Sequence, residues 1–193
     1  MTIPHEPLAK LLIEYSYLEA DEEIFRLASG QRSRFYFDCQ RTTCRAEAMP
    51  LVGRAFLEAF RRSGEWPEAA GGRTRGADPI AQSIAYASLE CGPPVHAFSV
   101  RKEPKDHGLG RWVEGGVQRG ARVAVVEDVV TSGGSTLAAI ERCQAEGLQI
   151  VQVVALVDRE QGGVANIRSR VPDIPVRAIF TRSQLDSLRD GSP

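Results

Sequence analysis

The stretch that most constrains this chain is residues 121–147, ARVAVVEDVVTSGGSTLAAIERCQAEG. The apolar residues Val123, Ala124, Val125 and Val126 run directly into two acids, Glu127 and Asp128. Val129 and Val130 lead on to a small, polar turn of Thr131, Ser132, Gly133, Gly134 and Ser135. Beyond it, Leu137, Ile140 and Cys143 recur at helical spacing until Gly147. An unbroken, largely β-branched run bounded by turn residues predicts a strand buried on both faces, then a glycine loop and a helix. Backbone N–H groups in such a loop, backed by the positive end of the helix, form a cradle for an anion. Two carboxylates just before the cradle would repel a phosphate unless they accept hydrogen bonds from hydroxyls, so the pattern describes a sugar phosphate. A plain helix cap on Ser135 would need one hydroxyl and explain neither acid. No GxxxxGK[ST] and no GxGxxG occurs, which removes the Walker loop and the dinucleotide fingerprint.

Upstream, Leu8, Leu11, Leu12, Tyr15 and Leu18 follow Pro7 at helical spacing and predict a packing helix over residues 7–20. Two alternating stretches, 24–28 and 35–39, flank Ser29 and Gly30 and predict a hairpin-like hood over residues 20–42. Residues 46–62 predict an amphipathic helix ended by Ser63 and Gly64. Residues 65–72 read as a weak strand, because Pro67 removes a donor. Gly71, Gly72 and Gly76 then turn into a helix from about Asp78, and Arg73 and Arg75 make this a second anion-binding turn. Residues 95–100 predict a strand that enters RKEPKDHGLGRWVEGG. There Arg101, Lys102, Lys105 and His107 gather cationic donors, and Pro104, Gly108, Gly110, Gly115 and Gly116 argue against regular structure. Over residues 101–116 this predicts a flexible loop that closes on an anionic leaving group. A strand at 150–157 ends in Asp158 and Arg159, followed by a short helix near 164–170, a strand at 176–180 and a closing helix from Thr181. The alternation predicts an α/β fold of one domain, residues 1–193, with a central, mainly parallel sheet flanked by helices.

Composition narrows the partners. Twenty-four basic residues against twenty-five acidic ones leave a net charge of −1, which calls for neither nucleic acid nor an anionic membrane. Charges scattered through the first twenty residues exclude a signal peptide or membrane span there, so a soluble, cytoplasmic protein is expected. Cys39, Cys44, Cys91 and Cys143 form no CxxC pair, and reduced thiols are expected.

EDVVTSGGST resembles the phosphoribosyl pyrophosphate-binding motif of type I phosphoribosyltransferases. RKEPKDHG is similar to the catalytic loop of the orotate phosphoribosyltransferases within that superfamily. SGQRSRFYFD resembles their hood segment, GGRTRGADPIA their diphosphate-binding turn, and VDRE their orotate-contacting turn. The resemblance implies the type I phosphoribosyltransferase fold with a small N-terminal hood. It also implies transfer of phosphoribosyl from phosphoribosyl pyrophosphate to orotate, giving orotidine 5′-monophosphate and pyrophosphate in pyrimidine biosynthesis.

The same resemblance implies a role for each residue. Glu127 and Asp128 would take the ribose hydroxyls, and Val129, Val130, Thr131, Ser132, Gly133, Gly134 and Ser135 would form the seat of the 5′-phosphate. Arg75, Arg101, Lys102, Lys105 and His107 would neutralise the diphosphate. Lys105, His107 and Asp128 are the implied catalytic groups. Arg159, Thr131, Tyr36 and Phe37 would hold orotate, Arg159 through its carboxylate. Mg²⁺ is implied as the cofactor, carried mainly by substrate and water with no direct protein ligand, and a homodimer is implied as the assembly. The chain departs from many relatives at Ala28, at Thr74-Arg75 and at Glu127. A phosphoribosyltransferase for another base, or a non-catalytic sensor of the same sugar diphosphate, stays open as an alternative.

Overall fold

The computed structural model describes residues 5–22, 24–26, 32–103 and 112–191. Ala28, the Ser29-Gly30 turn, Pro104, Lys105, His107, Gly108 and Gly110 lie outside the described residues. At the centre is β8 (Arg122–Val130), the apolar run prolonged through both acids. On one side of it lie β9 (Gln149–Asp158) and then β10 (Val176–Thr181). On the other lie β5 (Ala69–Arg73), β6 (His96–Val100) and β7 (Val113–Gly115). All neighbours are parallel except β6 and β7.

Side chains alternate across a strand, so a strand covered on both faces feeds two cores. Ala124 and Val126 face one of them with Val154, Leu156, Phe56, Phe60, Ile80 and Ile84. That core lies under α3 (Met49–Ser63) and α4 (Ala77–Cys91). Val123 and Val125 face the other with Val153, Ala155, Ile140, Cys143 and Ile167. It is closed by α5 (Gly134–Ala145) and α6 (Gly163–Arg170). The last helix, α7 (Arg182–Arg189), starts in a capping box in which the Thr181 hydroxyl accepts from the Gln184 N–H and the Gln184 side chain accepts from the Thr181 N–H.

Four local expectations are corrected. The N-terminal helix is short: α1 (Glu6–Leu11) passes into a π-helical turn at Leu12–Ser16, and Tyr17–Glu19 is extended as β1. Tyr17, within the span expected to be helical, packs instead on the hood, where its ring lies 5.9 Å from that of Phe35 and 4.6 Å from that of Phe37. The hood pairing also differs. β2 (Phe25–Arg26) pairs with β3 (Arg32–Ser33), while β4 (Phe35–Phe37) pairs with β1. Residues 69–73 form a full interior strand, because Pro67 lies before the ladder and costs it nothing. Finally, residues 113–115 of the glycine-rich loop are ordered as β7 against Phe98, Ser99 and Val100. Among the described residues no helix is long and apolar enough to cross a membrane.

Phe56 is fully buried, its ring 6.5 Å from that of Phe60. Phe56→Ala is expected to lower stability by about 3–5 kcal/mol, the usual effect of emptying such a site. Urea denaturation followed by circular dichroism measures this loss, and an unchanged midpoint would contradict the packing described.

Candidate active site

A cavity of about 1000 Å³ opens where the carboxyl ends of β5, β6 and β8 meet the hood. Its wall includes Glu127 and Asp128 from β8 and Ser135 from the first turn of α5. The β5–α4 turn adds Arg73, Thr74, Arg75, Gly76 and Asp78, with the Thr74–Arg75 peptide bond cis. Tyr36, Phe37, Asp38, Cys39 and Gln40 come from the hood side. Ser99 comes from β6, Arg101, Lys102 and Glu103 from the segment after that strand, and Glu114 from β7.

The two neighbouring acids leave the strand on opposite faces, yet both carboxylates line the same cavity and interact with each other. Glu127 reaches toward α5, where its Oε2 accepts from the Ser135 hydroxyl at 2.7 Å and the Thr136 hydroxyl at 2.9 Å. Asp128 faces the start of α4, and a Cβ on Gly76 would stand 2.5 Å from its Oδ1. Only glycine lets the turn approach that carboxylate so closely. The Val129 N–H donates to Asp128 at 2.8 Å. Burial, and then the Asp128 charge, push Glu127 up to about 7. Burial raises Asp128 as well, opposed by the Val129 N–H.

After β8 the chain turns through Thr131 and Ser132 to Gly133, whose φ of 83° is left-handed and suits glycine. Gly133 caps α5 with no side-chain hydrogen bond, so Ser135 is not the N-cap. Asn166 of α6 secures the loop by donating to the Ser132 carbonyl at 2.8 Å. Of the anticipated cradle residues, Ser135 lies in the described wall. Val129, Val130, Thr131, Ser132, Gly133 and Gly134 are not part of that wall.

The anticipated cations separate in the same way. Arg75, Arg101 and Lys102 line the cavity, Arg101 in an ion pair with Glu114 at 3.2 Å. Lys105 and His107 lie outside the described residues. Gln40 donates to the Arg75 carbonyl at 3.0 Å and joins hood to turn, while Ser99 donates to Asp78 at 2.6 Å. Asp38 and Asp78 fall within the hood segment and the diphosphate-binding turn singled out in the sequence, without a role of their own, and no local signal marked Gln40 or Ser99.

Of the residues anticipated for the base, Tyr36 and Phe37 line the cavity, whereas Thr131 and Arg159 do not. Arg159 is 4% exposed, beneath the hood, with one terminal N–H on the Phe35 carbonyl at 3.1 Å. Its Nε is buried and, among the described residues, has no hydrogen-bond partner. Burial and the nearby Arg182 guanidinium hold its pKa below the usual value. Arg182 lies 4.3 Å over the Phe35 ring and pairs with Asp186. The acids beside Arg159 are engaged elsewhere: Asp158 accepts from the Glu160 N–H, and Glu160 accepts from Ser183.

A parallel sheet that ends in divergent carboxylates beside a glycine turn is the architecture of a phosphoribosyltransferase, and solved structures agree. A phosphoribosyltransferase from Corynebacterium diphtheriae matches with TM-score 0.80 and 32% identity, over 94% of this chain and 98% of that one. An orotate phosphoribosyltransferase from Mycobacterium tuberculosis, in complex with 5-phospho-α-D-ribosyl 1-diphosphate, matches with TM-score 0.76 and 32% identity over the same shares. In sequence, the orotate phosphoribosyltransferase of Aquifex aeolicus is 44% identical over 185 residues, 96% of this chain and 99% of the relative. This chain belongs to the orotate phosphoribosyltransferase family. No family model matches it.

The acid pair has a stability signature. Glu127 sits near 7 in the folded chain against an ordinary 4.5, so the folded form holds the proton more tightly. Its contribution is fully present below pH 4.5 and is lost as pH rises to about 7. Glu127→Gln, which stays neutral, is expected to flatten the fall of stability across that window. Denaturant midpoints between pH 5 and 8 provide the comparison, and parallel profiles for the two proteins would contradict the assignment.

Proposed function

We propose that this chain transfers the 5-phosphoribosyl group from phosphoribosyl pyrophosphate to orotate, forming orotidine 5′-monophosphate and pyrophosphate in pyrimidine biosynthesis. The supporting observation is the acid pair at the cavity wall beside the glycine turn. In the reaction, orotate N1 bonds to the anomeric carbon as the bond from that carbon to the diphosphate oxygen breaks, and the N1 proton leaves to the released diphosphate or water. Positive charge grows on the ribose and negative charge on the leaving diphosphate, so opposite charges placed near each lower the barrier.

The backbone N–H groups of the 131–135 turn, with Val129 and Val130 leading in, receive the 5′-phosphate. Asp128 faces the ribose hydroxyls. Arg75, Arg101 and Lys102, with Lys105 and His107, take up diphosphate charge. Tyr36 and Phe37 wall the pyrimidine. Arg159, with an Nε–H that no described group accepts, supplies the guanidinium for the orotate carboxylate, with Thr131 alongside.

The described wall carries six carboxylates, those of Asp38, Asp78, Glu103, Glu114, Glu127 and Asp128, against the cations of Arg73, Arg75, Arg101 and Lys102. Hard carboxylate oxygens beside a diphosphate suit Mg²⁺. Asp128 would hold it through water, and when bound it would neutralise the diphosphate oxygens. The protein is proposed to act as a cytoplasmic homodimer. Free cysteines fit a reducing compartment. Tyr86 and Leu89, 70% and 69% exposed on neighbouring turns of α4, offer an apolar face to a second copy.

The test is base consumption with phosphoribosyl pyrophosphate and Mg²⁺, comparing orotate with uracil, adenine and hypoxanthine. Orotate alone is expected to be consumed, with loss of turnover on chelation. Consumption of another base in preference, or tight binding of the sugar diphosphate with no base consumed, would overturn the proposal.

A further inference from the structure

Glu127 differs from every other acid of the cavity wall in what it touches. Its Oε2 receives two hydroxyls, and both come from the first turn of α5. Thr136 is 1% exposed and takes no part in the cavity wall, and Glu127 itself is 5% exposed. A hydroxyl in a helix can bond a carbonyl one turn back, but that of Thr136 is spent on a carboxylate of a different element. The helix has no side-chain cap of its own at Gly133, and among the described residues its first turn is tied to β8 by the two hydrogen bonds to this carboxylate. Glu127 therefore spans from strand to helix across the root of the loop, while Asp128 faces the opposite layer against Gly76.

We propose that Glu127 is a positioning residue: through Oε2 it straps the first turn of α5 to the end of β8 and fixes the pose of the 131–135 phosphate turn, while it lines the cavity beside Asp128. This rests on the reading of the cavity as a phosphoribosyl pyrophosphate site and assigns the labour within it. The length of the side chain matters. An aspartate would withdraw the carboxylate by about 1.5 Å, one carbon–carbon bond, and out of hydrogen-bond range of hydroxyls now at 2.7 and 2.9 Å. A cradle built from backbone N–H groups works only while those groups converge, so loosening the helix start would weaken binding of the 5′-phosphate and spare the base site.

Thr136 separates this role from direct contact with the sugar, because its side chain lies behind the wall. Calorimetric binding of phosphoribosyl pyrophosphate with Mg²⁺, together with steady-state kinetics, is compared for wild type, Thr136→Val, Thr136→Ser, Glu127→Asp and the Thr136→Val/Glu127→Asp double variant. Thr136→Val is expected to weaken binding and raise KM for the sugar diphosphate roughly ten- to a hundredfold, the range for one hydrogen bond to a charged group. KM for orotate and kcat should stay within about twofold, Thr136→Ser should restore binding, and the double variant should be no worse than Glu127→Asp alone. Wild-type affinity in Thr136→Val, or losses that multiply in the double variant, would overturn the strap.

Hydrogen exchange of the 131–135 amides in the ligand-free chain gives a second readout, independent of substrate. Faster exchange in Thr136→Val and Glu127→Asp supports the strap, and unchanged exchange overturns it. Should the wild-type chain fail to bind the sugar diphosphate, the reading of the cavity falls, and the exchange rates still decide the role of Glu127.

Discussion

Two carboxylates on consecutive residues of an interior parallel strand start from opposite faces of the sheet. In this chain both reach one cavity at the strand end, close enough to interact, and the site is built on that pair. Glu127 is carried toward α5, and Asp128 toward the β5–α4 turn. In the proposed reaction one strand end would thus address both anionic ends of an activated sugar. The strand must be covered on both faces for this to work, and the two hydrophobic clusters on either side of Val123, Ala124, Val125 and Val126 provide that cover.

Burying two acids side by side is unfavourable by itself, since each loses hydration and each repels the other. The structure offsets this locally. Glu127 receives two hydroxyls and Asp128 a backbone N–H, and both pKa values remain above their ordinary range. Such a pair favours a partner that donates hydrogen bonds or carries positive charge, as ribose hydroxyls and a developing oxocarbenium do. Cations at the β5–α4 turn and after β6 line the same cavity.

The part of the fold legible in the sequence is the part decided by neighbours along the chain. The apolar run, the glycine turn and the periodicity of Leu137, Ile140 and Cys143 are local signals, and β8 and α5 lie where they place them. Tyr17 is different, because its extended backbone depends on aromatic partners some eighteen residues away, which helical spacing cannot register. Ala69, Ala70, Gly71 and Gly72 carry little strand character, yet form the strand between β8 and β6, because the flanking strands supply pairing on both edges. At the site, the acid pair was visible because two adjacent carboxylates after a buried run are rare chemistry. Thr136 and Asn166 were not, since a threonine or asparagine in a helix is unremarkable until its partner is known. Arg159 was recognised by its position after a strand, but its burial beneath Phe35 depends on the hood.

A crystal structure of this chain with phosphoribosyl pyrophosphate and Mg²⁺ bound is the most direct measurement of the central claim, that the end of β8 seats a ribosyl group. The expected electron density has the 5′-phosphate on the amides of the 131–135 turn, the ribose hydroxyls at Asp128, and the diphosphate toward Arg75 and Arg101. A sugar bound away from β8, or an Asp128 carboxylate that turns from the ribose to other protein groups, would contradict it.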